Sequence, residues 1–152
     1  KATIYTTVGS DEKIPNAKSL GADVVINYQR EDFLERVNDL TQGRGVDVVF
    51  EHIGSQTWEH SVKALAKGGR LVTCGATSGP GVPLDLRYVF SRQLTILGSM
   101  MGTRREFDEL MRLLGRRALN PVVDTVFPLR EARAAQERMV SRNVFGKLVL
   151  QP

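Results

Sequence analysis

Short apolar runs alternate with stretches of helical spacing along nearly the whole chain. Residues 2–7 are β-branched and aromatic; Val8-Gly9-Ser10 break the run, and a helical stretch leads to Leu20 and Gly21. Ala22 to Ile26 is strand-like again, and Arg30 to Leu40 sets Phe33, Leu34, Val37 and Leu40 at helical spacing. Gly43 and Gly45 then introduce a strand at Val46 to Phe50. Trp58, Val62, Leu65 and Ala66 predict a helix with Gly68 and Gly69 at its C-terminal turn. Arg70 to Gly75 follows as a continuous apolar strand of the kind buried on both faces. After a loop with Gly79, Pro80, Gly81 and Pro83 come a short helix (Leu86 to Phe90), a strand (Leu94 to Ser99) and an amphipathic helix carrying Phe107, Leu110, Met111 and Leu114. The last third predicts strand 121–127, helix 130–141 and strand 146–150.

Strands separated by helices of this length are crossover units, so the pattern predicts an α/β fold with a mostly parallel sheet covered on both faces. No repeat, low-complexity tract or linker divides the 152 residues, which have the length of one ordinary domain.

Composition changes this picture little. With 41% hydrophobic and 25% charged residues the chain has the make-up of a globular protein. It contains no apolar run of membrane-spanning length, and residues 1–10 lack the order of a signal peptide. The lone Cys74 rules out an internal disulfide, and the default location is the cytoplasm. A net charge of +4 raises the question of nucleic acid, but the basic residues are scattered. Their densest group, Arg104, Arg105, Arg112, Arg116 and Arg117, is interspersed with Glu106, Asp108 and Glu109 and has no aromatic stacking partners; it reads as a solvated helix face. Neither nucleic acid nor a membrane is expected as a partner. Lys1 is not an initiator methionine and leads straight into an apolar run, which reads as a cut within a longer protein.

In an open parallel sheet, ligands bind beyond the C-terminal ends of the strands. Four such ends carry small and polar residues: Val8-Gly9-Ser10-Asp11-Glu12-Lys13, Glu51-His52-Ile53-Gly54, Cys74-Gly75-Ala76-Thr77 and Gly98-Ser99-Met100-Met101. Glycine lets a ligand approach the backbone, and hydroxyls donate hydrogen bonds. Each piece also has an ordinary role: glycines end strands, Ser10 suits a helix cap, and Lys13 suits a surface. Spacing alone does not name the ligand. Cys74 reads as a buried strand-end residue rather than a nucleophile, and His52 and His60 have no histidine or cysteine at metal-ligand spacing.

The ordered blocks GSDEK, SLGADVVINY, GVDVVFEHIG, KGGRLVTCGATSG, LTILGSMMGT, FPLREARAAQERM and FGKLVL resemble the medium-chain dehydrogenase/reductase superfamily, in particular its quinone oxidoreductase-like and zinc-binding alcohol dehydrogenase-like members. The resemblance covers essentially the whole chain. It implies a Rossmann-like, doubly wound, mostly parallel sheet that is incomplete: residues 1–152 match part of the dinucleotide-binding domain with the C-terminal tail of the family. It also implies hydride transfer to or from a carbonyl, alcohol, quinone or enone.

By position, the resemblance places Gly9, Ser10 and Lys13 at the adenosine ribose, Tyr28 near the adenine (packing at a strand end is its ordinary role), and Gly54 close to the cofactor. Gly75, Ala76 and Thr77 would run past the nicotinamide ribose, Ser99, Met100 and Met101 would flank the nicotinamide, and Lys147 would lie nearby or simply be exposed. Thr7 and Val8 stand where NAD-dependent members commonly have an acidic residue, so NADP(H) is expected over NAD(H), with Ser10 and Lys13 receiving the 2′-phosphate.

There are departures. The glycine-rich turn that would hold the pyrophosphate is absent, and so are the first strand and helix of the domain. In the strand order 3-2-1-4-5-6 this leaves a gap between the strands beginning near Ala2 and Val46, so an isolated fragment should be unstable or rearranged. Pro15 should delay or kink the first helix. The catalytic domain, which supplies any zinc ligands and most of the substrate pocket, has no counterpart here, so no catalytic or metal residue is assigned and zinc dependence stays open. Leu94 to Ser99 corresponds to an edge strand that pairs between subunits, implying a homodimer. Two alternatives stand beside the oxidoreductase: a non-catalytic fragment or interaction module with an unused nucleotide edge, and another α/β nucleotide-binding enzyme such as a methyltransferase. The FPLREA and FGKLVL blocks count against the methyltransferase.

Overall fold

The computed structural model describes residues 2–152; Lys1, the cut expected from sequence, lies outside them. The chain forms two compact units that meet in sequence at Met101–Gly102.

In the first unit, β1 (Tyr5–Val8) passes through a 3-10 turn (Asp11–Lys13) into α1 (Ile14–Ser19). Then follow β2 (Val24–Asn27), α2 (Phe33–Leu40), β3 (Val46–Glu51), α3 (Trp58–Lys63), β4 (Leu65–Thr73), α4 (Leu86–Ser91) and β5 (Thr95–Gly98). Pro15 falls in the first turn of α1, where its missing amide would have had no helical partner, and the α-helix begins only after the 3-10 turn. Asp32 caps α2, its Oδ1 accepting from the Leu34 and Glu35 amides at 2.7 and 3.2 Å.

Every strand pair is parallel. β1 pairs with β2 from Tyr5↔Val24 to Val8↔Asn27. A separate three-stranded sheet has the order β3-β4-β5, and no ladder joins β1 to β3. The break falls where the resemblance leaves out a central strand. Packing spans it: Ile26 of β2, Val37 of α2 and Ala64 are buried together, with Val24, Phe33, Leu34 and Val46 against them.

The main core is Trp58, Val62, Leu65 and Leu71, flanked by Val49, Val82, Tyr88, Leu94 and Ile96. Burying each large side chain contributes about 1.5–3 kcal/mol. The row Val49–Leu71–Ile96 faces this core through registered neighbours, whereas the next row, Phe50–Val72–Leu97, lies on the opposite face. There Phe50 is 68% and Leu97 45% exposed.

Of the expected two-sided cover, the β3-β4-β5 sheet carries helices on one face only. The crossovers β3-α3-β4 and β4-α4-β5 progress in the same direction with the same hand, so both helices land on one side. For the same reason the strand expected at Arg70 to Gly75 is not buried on both faces: Leu71 is buried, Val72 only partly so. Cys74, expected to be buried, is exposed beyond the end of β4. The helix from Trp58 stops at Lys63, and Gly68 and Gly69 lie inside β4 rather than at a helix end. The ladder to β3 jumps there from Val46↔Leu65 to Val48↔Arg70, and the extra β4 residues bulge out.

The second unit comprises α5 (Arg104–Gly115), β6 (Val123–Pro128), a 3-10 turn (Leu129–Glu131), α6 (Ala132–Val140) and β7 (Lys147–Gln151). Thr103 and Glu106 form a reciprocal capping box at α5. Arg104 and Arg105 pair with Asp108 and Glu109 one turn on, at 3.1 and 3.3 Å, along an exposed face. β6 and β7 are parallel. Asp124 ties this unit together: it accepts from Arg138 of α6 at 2.6 Å and from the Phe145 amide at 2.9 Å. No helix among the described residues is long and apolar enough to cross a membrane.

Candidate cofactor site

Parallel pairing brings the C-terminal ends of β1 and β2 side by side, and likewise those of β3, β4 and β5. At the first pair of ends, Tyr28 leans over Gly9: a Cβ on Gly9 would come within 2.6 Å of the Tyr28 hydroxyl oxygen. Gly9 leaves room for the Tyr28 hydroxyl, and Tyr28, 45% exposed, keeps an open side above it. Ser10 stands at the cap position of the 3-10 turn, yet its side chain makes no capping bond. Lys13 ends that turn and is partly buried.

Sequence reasoning considered only Thr7 and Val8 as places for a carboxylate, and so missed Asp11. Asp11 is committed elsewhere: it accepts from Asn27 Nδ2 at 2.6 Å and pairs with Arg30 at 2.5 Å. Its charge is offset within the fold by Arg30. The pairing is tertiary, since Asn27 ends β2 and Arg30 follows it.

At the second set of ends, two loops are bonded into one double loop. Ser78 N donates to Ile53 O at 2.7 Å and Ser55 N to Gly79 O at 3.1 Å. Ser78 Oγ donates to Ile53 O at 2.7 Å and accepts from Gln56 N at 3.0 Å, while Ser55 Oγ donates to Ser78 O at 2.8 Å. Gly54 sits at φ +94°, and a Cβ there would lie 2.5 Å from Gly79 O and 3.1 Å from Ala76 Cα. Ala76 and Thr77 are exposed on the outer side of this loop, and Gly75 is partly so. Ser99 N donates to Thr73 O at 2.8 Å, which prolongs β5 along β4. Met100 and Met101 beyond it are 88% and 92% exposed.

Under the double loop lies Glu51, the last residue of β3 and 3% exposed. Its Oε1 accepts from the Ile53 and Gly54 amides at 2.6 and 3.1 Å. Thr57 Oγ1 lies at 3.1 and 3.0 Å from its two oxygens, and Ser61 Oγ donates to Oε2 at 2.5 Å. Burial on its own would push this carboxyl up. The hydrogen bonds from Ser61, Gly54, Ile53 and Thr57 together outweigh that and hold it below its ordinary value. From the sequence, Glu51 is one polar residue among several at the end of β3. Thr57 and Ser61, one helical turn apart, were the available signal.

Gly9, Ser10, Lys13 and Tyr28 thus gather at one pair of strand ends. Gly54, Gly75, Ala76, Thr77, Ser99, Met100 and Met101 line the other set. Lys147 is exposed at the start of β7 in the second unit. A cleft of about 280 Å³ lined by Leu34, Asn38, Gly43, Gly45, Lys63, Tyr88 and Arg92 lies at the opposite, N-terminal end of β3.

A family profile described as zinc-binding dehydrogenase matches residues 1–116. The chain belongs to this family. Its place is thereby in the medium-chain dehydrogenase/reductase superfamily, in the C-terminal part. It is 37% identical over 161 residues to a 2-haloacrylate reductase of Burkholderia sp, covering 99% of this chain and 48% of that protein. To a quinone oxidoreductase of Salmonella typhimurium it is 35% identical, covering 99% and 50%. Among solved structures, an NAD-dependent alcohol dehydrogenase superposes with a TM-score of 0.88 at 41% identity, covering 99% of this chain and 44% of that one. The structure of a 2-haloacrylate reductase gives 0.82 at 36%, covering 99% and 50%. The chain therefore spans about half the length of the curated relatives it matches, and those relatives are oxidoreductases.

The family name implies zinc. Among the described residues no three of His, Cys, Asp and Glu are grouped to hold a metal ion, so this chain's residues do not fit zinc. They do fit a dinucleotide, by two features: a hydroxyl and a lysine near a carboxylate neutralised by Arg30 at one pair of strand ends, and a small-residue backbone cradle at the other.

Proposed function

We propose that this chain is the cofactor-binding part of a cytoplasmic, NADPH-dependent oxidoreductase that transfers hydride to or from a carbonyl, alcohol, quinone or enone. The observation that carries the proposal is the β1–β2 end. Asp11, next to Ser10 in the turn after β1, is occupied by Asn27 and Arg30, while Ser10 offers a hydroxyl not used in capping. A 2′-phosphate would meet Ser10 and Lys13, with the charge of Asp11 offset by Arg30.

The nicotinamide supplies the hydride when bound, and the protein's task is to aim it and exclude water. Gly54 and Gly75–Thr77 would border the nicotinamide ribose and Ser99–Met101 the ring, with Tyr28 beside the adenine. The substrate would be held largely by residues outside this chain. β5 ends the order β3-β4-β5 with one edge unpaired, which supports pairing of two copies there. Light scattering of the full-length gene product at micromolar concentration should give a dimer, and a strict monomer would refute this part.

Titrating the full-length product with NADPH and NADH, followed by nicotinamide fluorescence, tests the cofactor assignment. NAD-dependent alcohol dehydrogenases are among the proteins this chain resembles, so both cofactors belong in the experiment. NADPH should bind more tightly, and Lys13→Ala should weaken it about tenfold while changing NADH less than about twofold, as expected for loss of one charge-assisted phosphate contact. Tighter NADH binding would overturn the preference, and binding of neither would overturn the oxidoreductase proposal.

A further inference from the structure

Glu51 is buried, and none of its hydrogen bonds comes from a lysine, arginine or histidine. A carboxylate taken out of water in this way is costly unless its lone pairs are filled, and here two amides and two hydroxyls fill them. The donors are not scattered. The amides are those of Ile53 and Gly54, the first residues of the double loop. The hydroxyls come from Thr57, which begins α3, and Ser61 within it.

With its amide turned down to Glu51, Ile53 sends its carbonyl to Ser78 N and Oγ, which fixes the second loop against the first. Gly54, at φ +94°, then brings its α-carbon against Ala76 and Gly79. One side chain therefore sets the position of both loops. A neutral cap could turn the chain after β3, but an ionised group accepts from all four donors at once and holds them more strongly.

We propose that Glu51 is a positioning residue for the bound dinucleotide, holding Gly54 and the 75–79 loop in the single arrangement that receives the nicotinamide half of the cofactor. This rests on the dinucleotide reading above. The adenine half, engaged at the β1–β2 ends, is independent of Glu51.

The full-length gene product and its Glu51→Ala and Glu51→Gln variants are compared by thermal unfolding, by NADPH binding and by binding of adenosine 2′,5′-bisphosphate, which reaches the adenine end alone. Glu51→Ala should weaken NADPH at least about tenfold, the scale set by small displacements of positioning groups, and leave the bisphosphate within about twofold. Glu51→Gln keeps the shape and one accepting oxygen, and should restore most of the NADPH affinity. Where Glu51→Ala does not fold, Thr57→Val removes one donor and makes the same comparison at smaller amplitude. Unchanged NADPH affinity in the variants overturns the proposal, as does an equal loss of both ligands with a lowered unfolding temperature, the signature of a purely structural role. Failure of the dinucleotide reading looks different: the unmodified protein then binds neither NADPH nor NADH.

Discussion

Placing a methyl group on Gly54 tests the double loop directly. At φ +94° an L side chain is strained whatever surrounds it, and the Cβ would sit 2.5 Å from Gly79 O and 3.1 Å from Ala76 Cα. Neither neighbour is the end of a flexible side chain; both are backbone, and Gly79 O also accepts from Ser55 N at 3.1 Å. The backbone strain costs about 1–3 kcal/mol, and overpacking against a fixed neighbour adds about 1–3 kcal/mol. Gly54→Ala should therefore lose about 3 kcal/mol, a fall of roughly 6–12 °C in Tm for a domain of this size.

Gly81 provides the control. It lies in the same loop region without a left-handed φ, and a Cβ there meets nothing within 4 Å. Gly81→Ala should be neutral or stabilise by up to about 1 kcal/mol through the unfolded state. Urea unfolding of both variants, with the slope monitored, separates the cases. If Gly54→Ala falls within about 0.5 kcal/mol of the parent, the two loops are not locked as described and the cradle argument fails with them.

Two further outcomes follow from the core and from Glu51. Leu71, fully buried in the middle strand of the β3–β4–β5 sheet, should cost about 3–5 kcal/mol as Leu71→Ala; a loss under about 1 kcal/mol in urea unfolding would mean the cluster around Trp58 is not a packed core. Because the Glu51 carboxyl is held below its ordinary 4.5, the folded state favours the ionised form. Its contribution to stability is fully present above that value and is lost as pH falls through the depressed one. The unfolding temperatures of the parent and Glu51→Gln should therefore differ at neutral pH and converge only as acidification carries the pH through the depressed value, below the ordinary 4.5; a constant gap throughout would refute the hydrogen-bonded carboxylate.

The sequence by itself determined the alternation of strands and helices and the parallel pairing, because periodicity and crossover length are local properties that leave few topologies open; the break between β1 and β3 followed only from the family resemblance, which leaves out the central strand. Its ordered blocks also sufficed for the family. It put Gly54 and Gly75–Thr77 at strand ends, since residue order decides which segment follows which strand. It could not decide cover: whether Phe50 and Leu97 are buried depends on which face the crossovers occupy, and the alternating pattern is the same either way. Cys74 illustrates this, an apolar-run residue that ends exposed because β4 stops at Thr73. The polar networks were equally out of reach. Asp11 meets Asn27 and Arg30, and Glu51 meets Ser61, only after strands far apart in sequence are registered and α3 is laid beside β3. Hydrogen bonds are short-ranged and directional. Which donors reach a carboxylate is set by ångström-scale placement that composition and spacing do not carry, and that placement decides what charge the β1–β2 end presents and what holds the double loop.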